Sequence, residues 1–130
     1  MILLDTHAIV WALMAPDLLS AAAREAIGRA AGWCISSASL YEIRYKHGIG
    51  KWPEVAAICD DGLDRRLAEL AIETVPADGA IMDLAGGMEW AHRDPFDRII
   101  VATCVVRTLP LVSKDEALSA APGRPLTRIW

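Results

Sequence analysis

Short apolar runs that break off at a polar residue and pass straight into a helical pattern recur along the whole chain, and this alternation restricts the fold more than any other feature. ILL ends at Asp5 and is followed by THAIVWALM, where Ile9, Val10 and Leu13 fall on one helical stripe before Pro16 closes it. WCI ends at Ser36 and leads into the hydroxyl-rich start of SASLYEIRYKH; IETV ends at Pro76, and Asp78 opens the next helical stretch; LPLV ends at Ser113, ahead of KDEALS. Strands separated by helices pair in parallel, because the crossover returns the chain to the same end of the sheet. The expected fold is an α/β three-layer sandwich with a mainly parallel central sheet, its strands at 2–4, 33–35, 72–75 and 109–112 and an edge strand at 126–129.

Between these strands Ser20 is placed to cap a helix that Gly32 stops, and HGIGKWP reads as a loop. Residues 54–71 read as two helices broken near Gly62. Asp94-Pro95 opens an apolar helix over 96–107, and a short helix is expected over 114–119. With 130 residues, 54% of them hydrophobic, and no internal repeat or linker, the chain is expected to form one domain over 1–130. Cys34, Cys59 and Cys104 lack metal-ligand spacing and read as small core residues, while the dispersed His7, His47 and His92 argue against zinc. The apolar start is interrupted by Asp5 and His7 and lacks a basic leader, which predicts a cytoplasmic protein with no membrane span.

Four acids mark the strand-to-helix junctions: Asp5, Glu42, Asp97 and Asp115. Open parallel sheets bind ligands beyond the carboxyl ends of their strands, where these four residues are expected to gather. Each acid taken singly also suits a helix cap, since Ser39 with Glu42, Asp94 with Asp97, and Ser113 with Glu116 have capping-box spacing. Capping does not account for an acid ending the first strand, nor for four such events on one sheet edge. Convergent carboxylates repel unless a cation intervenes, and an oxygen-only donor set selects Mg²⁺ or Mn²⁺. The net charge of −4 excludes a broad basic face for nucleic acid, so a phosphate ligand would need bound cations or a few basic residues at the rim.

The stretches LLDTHAIVWAL, SASLYEIRYK, HRDPFDRIIVA and LVSKD, in that order and over nearly the whole chain, resemble the PIN-domain ribonucleases, specifically the VapC-type toxins of bacterial toxin–antitoxin pairs. DTH alone carries little information; HRDPFDR followed by an apolar helix and then LVSKD is specific. The resemblance implies that Asp5, Glu42 and Asp97 carry the metal, with Asp115 as a fourth, more variable acid. It implies hydrolysis of RNA by metal-activated water, leaving a 3′-hydroxyl and a 5′-phosphate, without a histidine base. It also implies a cognate small antitoxin lying across the site, and a homodimer. The choice of RNA over DNA comes from the resemblance alone.

Thr6 and Ser113 could steady bound water or phosphate, or simply cap; Ser113 stands where many relatives carry Thr, and 116–119 lacks the aromatic residue often found there. Asp94 suits a cap. Arg44, Lys46, Lys51, Arg93 and Arg98 lie near site acids as RNA contacts or as solvated charges, and Trp11, Trp52 and Trp90 suit base stacking or the core. Trp11, Leu13, Met14, Leu18 and Leu19 offer an apolar surface for a partner, or core packing. Two rival readings are a non-catalytic partner-binding module and a metal-dependent DNA nuclease or phosphatase.

Overall fold

Among the residues described by the computed structural model, 1–123 and 125–130, strands β1 (Ile2–Leu4), β2 (Trp33–Ser36), β3 (Ile72–Val75), β4 (Leu111–Val112) and β5 (Arg128–Ile129) form one sheet in the order β3-β2-β1-β4-β5. Every pairing is parallel, with Leu3 of β1 standing opposite Cys34 on one side and Leu111 on the other. The connecting helices are α1 (Thr6–Met14), α2 (Ala21–Arg29), α3 (Ser37–Gly48), α4 (Ala56–Cys59), α5 (Leu63–Glu69), α6 (Gly79–Gly87) and α7 (Pro95–Arg107).

The period of two along β1 splits the apolar side chains between two cores. Ile2 and Leu4 pack with Ile9, Ile43, Leu63 and Leu67 on one face, and Leu3 packs with Ile81, Ile100 and Val101 on the other. Both faces of the sheet are therefore covered, as a parallel sheet requires. Each large side chain fully buried here contributes roughly 1.5–3 kcal/mol. All three cysteines are free and buried within these cores.

Local chemistry sets the helix starts. Ser20 caps α2 and Asp78 caps α6, each accepting from a backbone amide 3.1 Å away. Gly62 separates α4 from α5 at φ 94°, a conformation that only glycine adopts without strain. The last two strands are shorter than the sequence suggests. Pro110 has no N–H to give the ladder, and Leu109 donates to the Cys104 carbonyl at the end of α7. The stretch expected as a helix over 114–119 is a 3₁₀ turn, Glu116–Ala120.

From β1 the chain steps outward through β2 to β3, then returns through α6 and α7 to lay β4 on the opposite side of β1. The order reverses between β1 and β4, so a crevice opens there beyond the strand ends. Ser36 braces one wall of it. This residue ends β2 and caps α3 through the Ala38 amide, and its buried hydroxyl meets Thr103 of α7 at 3.2 Å. Thr103 spends its proton on the Ile99 carbonyl, so Ser36 is the donor between the two hydroxyls. Ser36→Ala removes the cap and the brace together and is expected to cost about 1–2 kcal/mol, read as a lower urea midpoint with an unchanged m value.

Candidate metal centre

Each of the four acids reaches the crevice from a different segment, and all four line a single cavity of about 460 Å³. Asp5 leaves β1 in extended conformation and caps α1, with Oδ1 accepting from the Ala8 amide at 2.7 Å. The expectation that capping leaves Asp5 unexplained is thus corrected, because the residue that ends the strand also starts the helix. Only 7% of Asp5 is exposed. Burial pushes its pKa up, partly offset by the Ser113 hydroxyl, the Ala8 amide and the nearby His7.

Glu42 comes from the second turn of α3 and is buried. It takes no part in a capping box, since Ser36 rather than Ser39 caps α3. Its Oε2 accepts from Thr6 Oγ1 at 2.6 Å, and its Oε1 pairs with the Lys46 ammonium one turn on. Thr6 has one proton and gives it to Glu42, so Ser39, 3.1 Å away, is the donor to Thr6. Thr6 therefore orients an acid, where the sequence suggested a contact to water or phosphate, or a cap.

Asp97 stands in the first turn of α7, where Asp94 alone caps, accepting from the amides of Phe96 and Asp97. Burial raises the Asp97 pKa; His92 opposes the shift, while Asp94 and Asp115 add to it by like-charge repulsion. Asp115 follows β4, caps the 3₁₀ turn through the Ala117 amide, and donates its own N–H to the buried Ser113 hydroxyl at 3.1 Å. Ser113 thus supports two acids, Asp5 and Asp115.

The sequence reading missed His92. Its Nε2 lies 2.7 Å from Asp97 Oδ2, and ligand atoms of His92, Asp97 and Asp115 all fall within 4.8 Å of one another. Trp90 stacks on its ring at 4.6 Å and helps to set its plane. The signal was present five residues before Asp97 in HRDPFDR, but spacing alone did not separate it from the dispersed histidines. Asp5 and Glu42 share the cavity without joining that compact group.

Of the basic residues read as RNA contacts only Lys46 lines the cavity, and of the tryptophans read for base stacking only Trp11 does. Arg44 ties α3 to the Cys59 carbonyl at 3.0 Å. Arg98 donates to the carbonyls of Ala85, Met88, Trp90 and His92, fastening the loop that carries His92. All three nitrogens of Arg98 are thus engaged with backbone, whereas Arg44 commits one nitrogen and stays exposed. Lys51 and Arg93 are exposed.

A hard divalent cation fits these donors. It would reverse the repulsion acting on Asp97 and offset the burial of Asp5, and carboxylate oxygens with one imidazole suit Mn²⁺ and, through oxygen alone, Mg²⁺. Both shifts are upward, so protons compete with the cation at a higher pH than for ordinary carboxylates, and affinity falls as pH is lowered through that range.

The same sign fixes a stability prediction. A carboxylate whose folded pKa is raised weakens the fold when ionised, and the penalty fades as pH falls through the folded pKa. Asp5→Asn keeps a capping side chain and removes the charge. At pH 7 without divalent ions it is expected to raise Tm by about 2–8 °C, the size of a roughly 1 kcal/mol change. Added Mn²⁺ should raise the Tm of the wild type and not of the variant, as read by scanning calorimetry.

A family model described as PIN domain matches residues 2–124. Among solved structures, the chain is similar to a VapBC2 complex from Rickettsia felis bound to a promoter DNA fragment, at 16% identity over 99% of both chains with a TM-score of 0.67. DNA-bound VapBC from Salmonella typhimurium is similar at 20% identity over 98% of both chains, TM-score 0.63. A toxin–antitoxin complex from Klebsiella pneumoniae matches at 17% identity over 88% of this chain and 87% of that one, TM-score 0.61. At these identities the likeness is one of fold. No curated protein matches.

Proposed function

The chain belongs to the PIN-domain family, and from that premise we propose that it is a Mg²⁺- or Mn²⁺-dependent endoribonuclease acting in the cytoplasm as the toxin of a toxin–antitoxin pair. The observation that carries this reading is the convergence of Asp5, Glu42, Asp97 and Asp115, from separate segments, on one cavity at the topological switch. Helix capping alone needs no such gathering, and Glu42 does not cap at all.

Asp5, Asp97 and Asp115 would hold the cation, with His92 beside them and Glu42 completing the acidic wall. When bound, the cation lowers the pKa of a coordinated water and offsets the charge that develops on the scissile phosphate. The chain's own residues supply the geometry. Thr6 and Lys46 hold the two oxygens of Glu42, His92 aims Asp97, and Ser113 steadies the strand-end acids. Lys46 and Lys114, on the same cavity, give an approaching phosphate a positive rim.

The toxin part of the proposal draws on the neighbours, whose descriptions are of toxin–antitoxin and VapBC complexes. It includes a cognate small antitoxin and a homodimer. Of the apolar residues read for a partner surface, Met14 and Leu18 are exposed, whereas Leu19 is core. Among the described residues no helix is long and apolar enough to cross a membrane.

Purified protein is expected to cleave single-stranded RNA in Mg²⁺ or Mn²⁺, to stop in EDTA, and to lose activity on the order of 10³-fold in Asp97→Asn. Single-stranded DNA, flap DNA and a phosphate monoester, assayed in parallel, should be poor substrates. Activity surviving both EDTA and Asp5→Asn would sink the reading. Co-expression should yield a small co-purifying partner that suppresses cleavage.

A further inference from the structure

Beside the acids stands an aromatic wall that the hydrolysis does not use. His7 follows Thr6 in the first turn of α1 and is exposed, its ring centroid 5.6 Å from Trp11 and 5.3 Å from Trp52. Trp11 and Trp52 are half-buried against the core, and Trp11 is backed in turn by Trp130 at 5.6 Å. The imidazole therefore abuts two anchored indoles, each tilted against it, while remaining exposed, and its ring is held in place at little entropic cost. His7 and Trp11 line the same cavity as the four acids.

Two cations stand along this wall. The Lys46 ammonium lies 5.5 Å from the Trp52 ring centroid, and that of Lys114 lies 6.0 Å from the Trp11 centroid. Lys46 also pairs with Glu42, whereas among the described residues Lys114 makes no ion pair, although its neighbour in sequence is Asp115. A row of aromatic rings with an ammonium group at each end suits an unpaired strand, whose base can stack on a ring while its flanking phosphates meet the cations. A protein segment bringing Lys or Arg to neutralise the acids would instead meet two like charges at the rim.

We propose that His7, braced by Trp11 and Trp52, is the stacking platform for an unpaired base next to the scissile phosphate, and that Lys114 and Lys46 hold the phosphates flanking that base. This inference rests on the nuclease reading and adds to it a site for one nucleotide. His7 acts here through its flat ring, so a phenyl ring should substitute for it.

Steady-state cleavage of a short single-stranded RNA provides the test, with a single abasic position walked along the strand. His7→Ala is expected to raise KM about tenfold with kcat little changed, and His7→Phe to restore KM to within a few-fold of wild type. One abasic position should reproduce the loss in wild type and add nothing further in His7→Ala. Lys114→Gln should flatten the dependence of log affinity on log salt by about 0.7. The Mn²⁺-induced rise in Tm should be equal in wild type, His7→Ala and Lys114→Gln, which separates a lost base site from a damaged metal site. An unchanged KM in His7→Ala, or losses that multiply between that variant and every abasic position, overturns the platform while leaving the nuclease reading intact. Wild-type protein that cleaves no RNA under any divalent condition overturns both.

Discussion

The Asp5 amide donates to the Val112 carbonyl across 3.1 Å, and the Leu3 amide to the Pro110 carbonyl across 3.0 Å, so the strands flanking the topological switch end at the same height. Because Leu4 stands opposite Val112, the residues that follow each strand, Asp5 and Ser113, emerge side by side. A slip of one residue would turn Leu3 and Leu4 to the wrong cores, so hydrophobic burial enforces the register. The position of the first acid relative to Ser113 and Asp115 is thus a consequence of core packing, with no contribution required from the site itself. Glu42 and Asp97 arrive on helices whose starts are pinned by Ser36 and Asp94, and Ser36 is linked to α7 through Thr103.

Gathering acids in this way sets the site against the stability of the fold. The conflict is handled differently at each position. Asp5 is buried, and its charge is partly met by amides and the Ser113 hydroxyl, yet its pKa remains raised. Glu42 has both oxygens engaged, one by a hydroxyl and the other by an ammonium. Asp97 has its pKa raised chiefly by burial, to which Asp94 and Asp115 add and which the His92 imidazole opposes. Asp115 stays exposed to water. The two acids with raised pKa values stand to gain most from a divalent cation, Asp5 against the cost of its burial and Asp97 against burial together with the neighbouring carboxylates.

Most of the fold was legible because its signals are local. Strand 2–4, helix 6–14, the break at Gly62 and the Asp94-Pro95 start all follow from runs, caps and breakers within a few residues of one another. The four acids were legible as junction residues, and they do share a cavity. What the sequence hid was how side chains are used. Asp5 was read as no cap and caps; Glu42, whose spacing from Ser39 also suited a capping box, bonds Thr6 and Lys46. Arg98 was read as an RNA contact or a solvated charge and instead fastens four carbonyls around His92. Each of these depends on a partner supplied by tertiary packing, and spacing along the chain carries no information about it. His92 shows the same limit, since nothing local separates a histidine that meets an acid from one that does not.

Charge counting connects the cavity to its aromatic wall. On the proposed reading, five carboxylates, Asp94 included, face two ammonium groups, and one divalent cation leaves the set one negative charge short of neutrality, with no positive surplus. Asp94 keeps its charge while it accepts from the amides at the start of α7, and it repels an anion as it repels Asp97. A cavity without positive surplus, in a chain of net charge −4, draws phosphate weakly, and long-range steering contributes little at physiological ionic strength. Affinity for a strand must then come from short-range contact that is indifferent to salt, and stacking of a base on a fixed aromatic face is the interaction of that kind available at this rim. His7 sits two residues from Asp5, so the turn that places the first acid also sets the distance between the reacting phosphate and the stacked base.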